Sequence, residues 1–182
     1  MKNQMMKIIF LDIDGVLNSE CWYKKNHKRH PEKCITGMAI NPRYVRNLMK
    51  IVKRTGAKIV LSSTWRGAVR KNSNHYLHKI LKKYGLEIYD YTLRLGRERG
   101  YEIQDWLDKH KNVSNIVILD DDADMIHLTK YLVQTYSFVD TSLFAWTKEG
   151  LSNKKTREAI RMLKKPYINI YSTKETFNRK EF

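Results

Sequence analysis

The sequence predicts an α/β protein in which helices cover both faces of a parallel sheet. Short runs of consecutive apolar residues recur along the chain, and segments with helical apolar spacing separate them. Uninterrupted apolar runs are typical of parallel strands, because both faces of such strands are buried. We therefore expect a three-layer, doubly wound sheet of the Rossmann type, whose ligands bind beyond the carboxyl ends of the strands.

The first predicted strand, Ile8 to Leu11, leads directly into two carboxylates. Asp12 ends the apolar run, one residue separates it from Asp14, and Gly15 follows as a turn residue. Because side chains alternate along a strand, Asp12 and Asp14 can point the same way. Neighbouring carboxylates repel each other unless a cation lies between them, and Mg²⁺ prefers such oxygen ligands. The stretch therefore indicates a metal-dependent catalytic site, whereas a simple Asp-Gly turn would explain Asp14 alone.

The second predicted strand, Lys58 to Leu61, ends in a run of hydroxyl side chains that begins at Ser62. The amphipathic helix before it is predicted to begin at the Asn41-Pro42 cap. Arg66 follows the hydroxyls, and its guanidinium can donate two parallel hydrogen bonds to a phosphate. The alternative for Arg66 is a stacked surface contact with the tryptophan before it.

Two further helices and a strand are predicted in the middle of the chain. One helix begins at Asn72 or Ser73, and a short strand follows over residues 87–91. Arg97 and Arg99 then precede a helix with an apolar stripe. Backbone donors and the helix dipole favour anions at such a helix start, so both arginines are candidates for phosphate binding.

The fourth predicted strand, over residues 115–119, ends in four carboxylates within five residues: Asp120, Asp121, Asp122 and Asp124. Their mutual repulsion is most simply relieved by a bound metal ion. Asp122 or Asp124 is also suited to cap the helix that is predicted over residues 125–132. A strand around residues 136–139 and a helix over residues 152–163 complete the predicted layers.

The run Asp12-Ile13-Asp14-Gly15-Val16-Leu17 resembles the first motif of the haloacid dehalogenase (HAD) superfamily of phosphatases and phosphotransferases. The resemblance implies that Asp12 attacks phosphorus and that Asp14 is the general acid and base. It also implies that Ser62, at the second strand end, donates a hydrogen bond to the phosphoryl group. The fold would then be HAD-like, with at most a minimal cap insertion.

The segment Arg99-Gly100-x-Glu102-Ile103-x-x-Trp106-Leu107 resembles the phosphatase domains related to the Swiss army knife RNA repair proteins. The third superfamily motif is a Lys or Arg that neutralises the nucleophile and the phosphate. This pattern favours Arg99 for that role, with Arg97 as the alternative. The implied Mg²⁺ ligands are the Asp12 carboxylate, the Asp14 backbone carbonyl and the fourth-motif pair Asp120 and Asp121.

The charge of the chain indicates a polyanionic partner. Lys and Arg total 35 against 19 for Asp and Glu, which gives a formal charge of +16 at pH 7. The excess is spread along the chain, and such a field attracts nucleic acid through its phosphates. The alternative is a general bias toward lysine. The apolar run near the N-terminus is too short to span a membrane, so we expect a soluble, cytoplasmic protein.

Four residues with zinc-binding side chains lie close together in the sequence: Cys21, His27, His30 and Cys34. Their spacing matches none of the common zinc patterns, so we favour idle thiols beside solvated histidines over a structural Zn²⁺ site. Two cysteines do not make a disulfide framework in a chain of this size.

The domain organisation favours a large substrate. We expect one domain over residues 1–165, a basic insertion over residues 19–40 near the active site, and an unassigned tail over residues 166–182. Without a sizeable cap, an open basic site suits a phosphate at the end of a polyanion.

The substrate expectation follows from that open site and from a further resemblance to polynucleotide kinase-phosphatases. Together they imply removal of terminal 3'-phosphates from DNA or RNA. The alternatives are a nucleotidase acting on free nucleoside monophosphates and a nucleic-acid-binding module with vestigial catalytic residues.

Overall fold

Five parallel strands form one sheet in the computed structural model, which describes residues 5–19, 22, 40–136 and 150–168. The strands are β1 (Met6–Leu11), β2 (Lys58–Leu61), β3 (Ile88–Tyr91), β4 (Val113–Asp120) and β5 (Leu132–Gln134). Their order across the sheet is β3-β2-β1-β4-β5, so the first strand lies at the centre. This arrangement confirms the predicted parallel sheet.

Helices cover both faces of the sheet. They are α1 (Pro42–Thr55), α2 (Arg66–Lys71), α3 (Tyr76–Lys83), α4 (Arg99–Lys109), a 3₁₀ helix (Ile126–Tyr131) and α5 (Asn153–Met162). Ile9 and Leu11 of β1 pack in a core with α1, α3 and α5, whereas Ile8 and Phe10 pack in a second core with α4 and the 3₁₀ helix. The two cores confirm the three-layer prediction. None of the described helices is long and apolar enough to cross a membrane.

The carboxyl ends of the three central strands lie level with one another. Leu11 is paired with both Leu61 and Leu119. The ladder continues one residue further, because the Asp12 N–H donates to the Leu119 carbonyl (2.9 Å) and the Ser62 N–H donates to the Leu11 carbonyl (2.9 Å). The register therefore brings the side chains that follow β1, β2 and β4 to one edge of the sheet.

The predicted α1 is confirmed at both of its ends. The Asn41 side chain accepts a hydrogen bond from the Arg43 N–H (2.9 Å), Pro42 is the first helical residue, and Gly56 ends the helix with a φ of 68°. A left-handed φ of this kind carries little steric cost for glycine.

The predicted elements differ from the observed ones in two regions. The helix expected from Asn72 or Ser73 begins at Tyr76, and the short helix α2, which was not predicted, precedes it. Only Arg66 and Val69 are buried in α2, so it has no apolar stripe to detect.

The second difference follows β4. The helix expected over residues 125–132 is a 3₁₀ helix without a side-chain cap, and the strand β5 at Leu132–Gln134 was not predicted. The strand predicted around residues 136–139 falls almost wholly outside the described residues. The candidate zinc ligands Cys21, His27, His30 and Cys34 lie outside the described residues, as does most of the tail.

Candidate active site

Three carboxylates meet at the carboxyl edge of the sheet. Asp12, Asp120 and Asp121 each offer an oxygen atom, and these atoms lie within 4.8 Å of one another. Asp12 and Asp120 are only 4% and 1% exposed. The Asp120 Oδ2 atom is buried and has no hydrogen-bond partner. A buried oxygen that no described residue hydrogen-bonds, in a triad whose third member Asp121 is half-buried, suits a hard divalent cation such as Mg²⁺.

The buried carboxylates disfavour their own charge when no cation is present. Burial raises the pKa of Asp12 to about 7, against the opposing effects of Arg99 and of a hydrogen bond from Ser63. Burial and the charge of Asp12 raise the pKa of Asp120 to about 8. A bound cation would remove this penalty, because it favours the ionised form of both groups.

Among the described residues, Arg99 is the cationic residue that forms ion pairs with this cluster. Its Nη1 lies 3.5 Å from Asp12 Oδ1, and its Nε lies 3.5 Å from Asp120 Oδ2. Its guanidinium also donates to the Ser62 carbonyl. Burial lowers the pKa of Arg99, but Asp120 and Asp12 outweigh that effect and the net shift is upward. Arg97, the alternative, instead lies 4.2 Å from the ring centre of Tyr101.

The acidic loop after β4 holds the start of α4, and hence Arg99. The Arg99 N–H donates to the Asp124 carboxylate (3.0 Å), and the Gly100 N–H donates to the Asp124 carbonyl (3.1 Å). A Cβ atom at Gly100 would collide with the Met125 carbonyl, so this close approach requires glycine. Asp124 therefore caps α4, not the helix that follows it in sequence.

Asp14 is held apart from the triad by two neutral donors. Asn18 Nδ2 donates to Asp14 Oδ1 (2.8 Å), and Trp65 Nε1 donates to Asp14 Oδ2 (2.9 Å). The Asn18 amide oxygen also accepts from the Gly15 N–H (2.9 Å), which fixes the turn. The sequence interpretation missed Trp65 and Asn18 as site residues. Their pairing with Asp14 could not be read from motif spacing.

The hydroxyl that contacts the nucleophile candidate belongs to Ser63 and not to Ser62. The Ser63 side chain hydrogen-bonds Asp12. The Ser62 hydroxyl accepts from Thr92 at 3.4 Å and is only 1% exposed. Ser62 continues the register that pairs Leu11 with Leu61, so it lies beside Asp12 at the ends of the strands. Ser63 is therefore a second candidate for the hydroxyl that meets the phosphoryl group, and the role predicted for Ser62 stays a prediction.

The structure directs Arg66, for which phosphate binding was predicted, toward other groups of the protein. Its Nη2 lies 2.6 Å from Glu102 Oε2 in a buried ion pair, and its Nη1 donates to the Ser63 carbonyl (2.8 Å). Arg66 is 6% exposed. With its fork directed at Glu102 and the backbone, Arg66 supports the fold of the site, and its role in phosphate binding stays a prediction.

The comparisons with known proteins agree with this geometry. The family model described as "HAD domain in Swiss Army Knife RNA repair proteins" matches residues 8–141. The chain belongs to this family. The match includes every residue of the described cluster, and it confirms the resemblance inferred from the sequence. The HAD domain matches no curated protein and no solved structure.

The acidic triad of this HAD domain should lower the stability of the metal-free protein. Replacing one of its carboxylates with a neutral side chain should remove that cost. The raised pKa of Asp120 means that the ionised carboxylate destabilises the metal-free fold as the pH rises from about 4 to about 8. Asp120→Asn should therefore melt a few degrees higher than the parent at pH 8 in chelator, and the gap should close toward pH 4. Mg²⁺ should raise the melting temperature of the parent but not of this variant.

Differential scanning fluorimetry over that pH range checks both parts. Asp122→Asn is the matched control, because Asp122 is an exposed carboxylate in the same run. A lower melting temperature for Asp120→Asn than for the parent in chelator at pH 8 would contradict the assignment of repulsion within the triad.

Proposed function

We propose that this HAD domain is a Mg²⁺-dependent phosphomonoester hydrolase that acts on the ends of nucleic acid. The main support for this chemistry is that Asp12, Asp120 and Asp121 meet beside Arg99. Asp14, two residues after Asp12 in the sequence, is held by a separate hydrogen bond from Trp65. This arrangement supplies a nucleophile, a cation site, a fixed positive charge and a separate acid.

Asp12 is the proposed nucleophile. One of its oxygens forms a bond to phosphorus while the bond from phosphorus to the ester oxygen breaks, which gives an aspartyl phosphate and an alcohol. Arg99, 3.5 Å from Asp12 Oδ1, offsets charge on the phosphoryl oxygens. The Ser62 hydroxyl, or that of Ser63, which hydrogen-bonds Asp12, donates to one of these oxygens. Mg²⁺, held by Asp12, Asp120, Asp121 and the predicted Asp14 carbonyl, would neutralise further phosphoryl charge when bound.

Asp14 is the proposed acid and base. It gives its proton to the departing alkoxide in the first step and takes a proton from the attacking water in the second. That water cleaves the aspartyl phosphate and restores Asp12. The half-buried position of Asp14 leaves it in reach of a leaving group, while Trp65 and Asn18 fix its orientation.

The substrate proposal rests on charge and on the family. The chain carries +16, and the family description names RNA repair proteins. A phosphate at the 3' end of a nucleic acid is the substrate that we favour. A nucleotidase acting on free mononucleotides uses the same chemistry and is the second candidate.

One side-by-side assay tests the function. Phosphate release is measured with and without Mg²⁺ on a 3'-phosphorylated oligonucleotide, a 5'-phosphorylated oligonucleotide and a mononucleotide at equal concentrations. We expect Mg²⁺-dependent release that is fastest from the 3' end. Faster release from the mononucleotide would identify a nucleotidase. No release from any substrate, together with salt-dependent oligonucleotide binding, would overturn the enzymatic proposal.

Trp65 should affect turnover most with substrates whose leaving group needs a proton. Trp65→Phe removes the indole N–H that holds Asp14, so turnover of an alkyl phosphate such as a nucleoside 3'-phosphate should fall about tenfold or more. An aryl phosphate, whose phenolate leaves without protonation, should lose about twofold or less. Steady-state kinetics on both substrates give the two ratios.

Trp106→Phe is a matched control for this variant. Trp106 also donates its indole N–H to a carboxylate, at 2.7 Å from Asp90, but it packs in the core on the α4 side of the sheet. Equal losses on the alkyl and aryl substrates in Trp65→Phe would show that Trp65 is only a packing residue.

A further inference from the structure

A cluster of exposed apolar side chains lies within residues 93–101. Among the described residues, nine large apolar side chains are exposed, and three of them fall in this segment: Leu93 (45%), Leu95 (39%) and Tyr101 (37%). Exposed apolar groups that are concentrated in this way mark a surface that contacts a partner. We call residues 93–101 the platform.

The platform lies next to the proposed reaction centre. It follows β3 at the carboxyl edge of the sheet, where Thr92 hydrogen-bonds the Ser62 hydroxyl. Near its other end, Arg99 lies 3.5 Å from Asp12 Oδ1. A molecule whose terminal phosphate reaches Asp12 can therefore extend over the platform.

A buried ion pair fixes the backbone of the platform. Arg66 Nη2 donates to the Leu93 carbonyl (3.3 Å), and the Leu95 N–H donates to Glu102 Oε1 (2.9 Å). Arg66 and Glu102 are themselves paired at 2.6 Å. The Arg66–Glu102 pair therefore orders the backbone of the platform before a ligand binds. A surface that is already ordered loses little entropy on binding.

The charges of the platform select an anionic ligand that also carries flat rings. Three arginines, Arg94, Arg97 and Arg99, occur in these nine residues against one carboxylate, Glu98. The Arg97 guanidinium lies over the Tyr101 ring at 4.2 Å. Arginine planes and tyrosine rings are surfaces on which unpaired bases stack, while the positive charge attracts the adjoining phosphates.

We infer that the platform receives the unpaired nucleotides next to the terminal phosphate of single-stranded nucleic acid. The inference rests on the proposed function and specifies its substrate. Successive bases can stack on protein side chains only when they are unpaired, because in a duplex every base pair except the terminal one has both faces covered by its neighbours. Leu93 and Leu95 add apolar contact area beside the stacked Arg97 and Tyr101.

Binding measured without turnover tests the inference. Fluorescence anisotropy with a 3'-phosphorylated single strand, as an oligoribonucleotide and as an oligodeoxyribonucleotide, is recorded in an Asp12→Asn background. Adding Arg97→Ala and Tyr101→Ala should raise the Kd of the better-bound strand about tenfold or more. Tyr101→Phe keeps the ring and should leave the Kd within about twofold.

The chain offers a matched control pair. Lys58 lies over the Tyr89 ring at 4.0 Å, and Tyr89 is 45% exposed. Lys58 is the first residue of β2, so it lies at the edge of the sheet opposite the one that carries the carboxylates. Lys58→Ala with Tyr89→Ala removes the same charge and the same kind of ring, and it should raise the Kd about twofold at most. Melting temperatures confirm that both double variants are folded.

Three results would overturn the inference: equal effects of the two double variants, no loss with Arg97→Ala and Tyr101→Ala, or equal binding of a blunt duplex that carries the same terminal phosphate. The failure of the proposed function is distinguishable from these results. A protein that binds single strands through the platform but releases no phosphate keeps the inference and loses the enzymatic proposal. If the protein releases phosphate but the two double variants have equal effects on binding, the enzymatic proposal stands and the inference fails.

Discussion

Asp12→Asn should lower the rate of phosphate release by at least about a thousandfold, because the amide oxygen is a poor nucleophile and none of the carboxylates that the structure describes is placed to replace it. Asp120 and Asp121 share the proposed cation with Asp12, and Asp14 is held by Trp65 and Asn18. The fold should survive, since the change removes a buried charge whose pKa is raised to about 7. Initial rates at saturating substrate, with thermal melting alongside, give both quantities.

Asp122→Asn is the control for that experiment. It alters an exposed carboxylate two residues after Asp120 and should change the rate about twofold or less. Acid-quenched, phosphate-labelled protein offers a second readout, because the parent should carry label on Asp12 and the variant should carry none. A rate within about tenfold of the parent would remove Asp12 from the role of nucleophile.

Glu102→Ala should have the largest effect on stability. It leaves the Arg66 guanidinium buried without its partner and frees the Leu95 N–H, so the free energy of unfolding should fall by about 3–5 kcal/mol. For a chain of this size, the melting temperature should fall by roughly 6–20 °C. Chemical denaturation in urea, with the slope held common between variants, measures the difference.

Glu158→Ala is the control, because it also removes an ion pair, but one that is not buried. Glu158 lies 3.3 Å from Lys155, with both side chains partly exposed, and such a pair is worth about 1 kcal/mol or less. The double variant Arg66→Leu with Glu102→Leu should be less destabilised than Glu102→Ala, because it buries no unpaired charge. Equal costs for Glu102→Ala and Glu158→Ala would mean that the Arg66–Glu102 pair does not hold the platform.

The parts of the site that depend on local pattern could be predicted from the sequence. Apolar strands that end in carboxylates identified the edge where Asp12, Asp120 and Asp121 meet, since parallel strands place their carboxyl ends together. The preference for Arg99 over Arg97 agrees with its place between Asp12 and Asp120. The assignment of catalytic roles to these residues stays a prediction.

The parts that depend on distant partners could not be predicted. Glu102 lies 36 residues from Arg66 and Trp65 lies 51 residues from Asp14, so no motif spacing links them. The hydrogen bond between Ser63 and Asp12 depends on how the chain turns after β2, and three hydroxyls in succession carry no signal for that turn. In each case the unpredicted feature is a tertiary contact, which local propensity does not encode.

The central position of β1 has a consequence during synthesis. β1 can pair with β2 early, but its other edge waits for β4, which ends at residue 120. The 59 residues that follow Leu61, up to and including Asp120, take roughly 3–12 s to translate at ordinary rates. Until α4 has been translated, Ile8 and Phe10 lack the helix that covers them, and the edge of β1 that later pairs with β4 stays open. The acidic triad of Asp12, Asp120 and Asp121 assembles only when β4 docks beside β1.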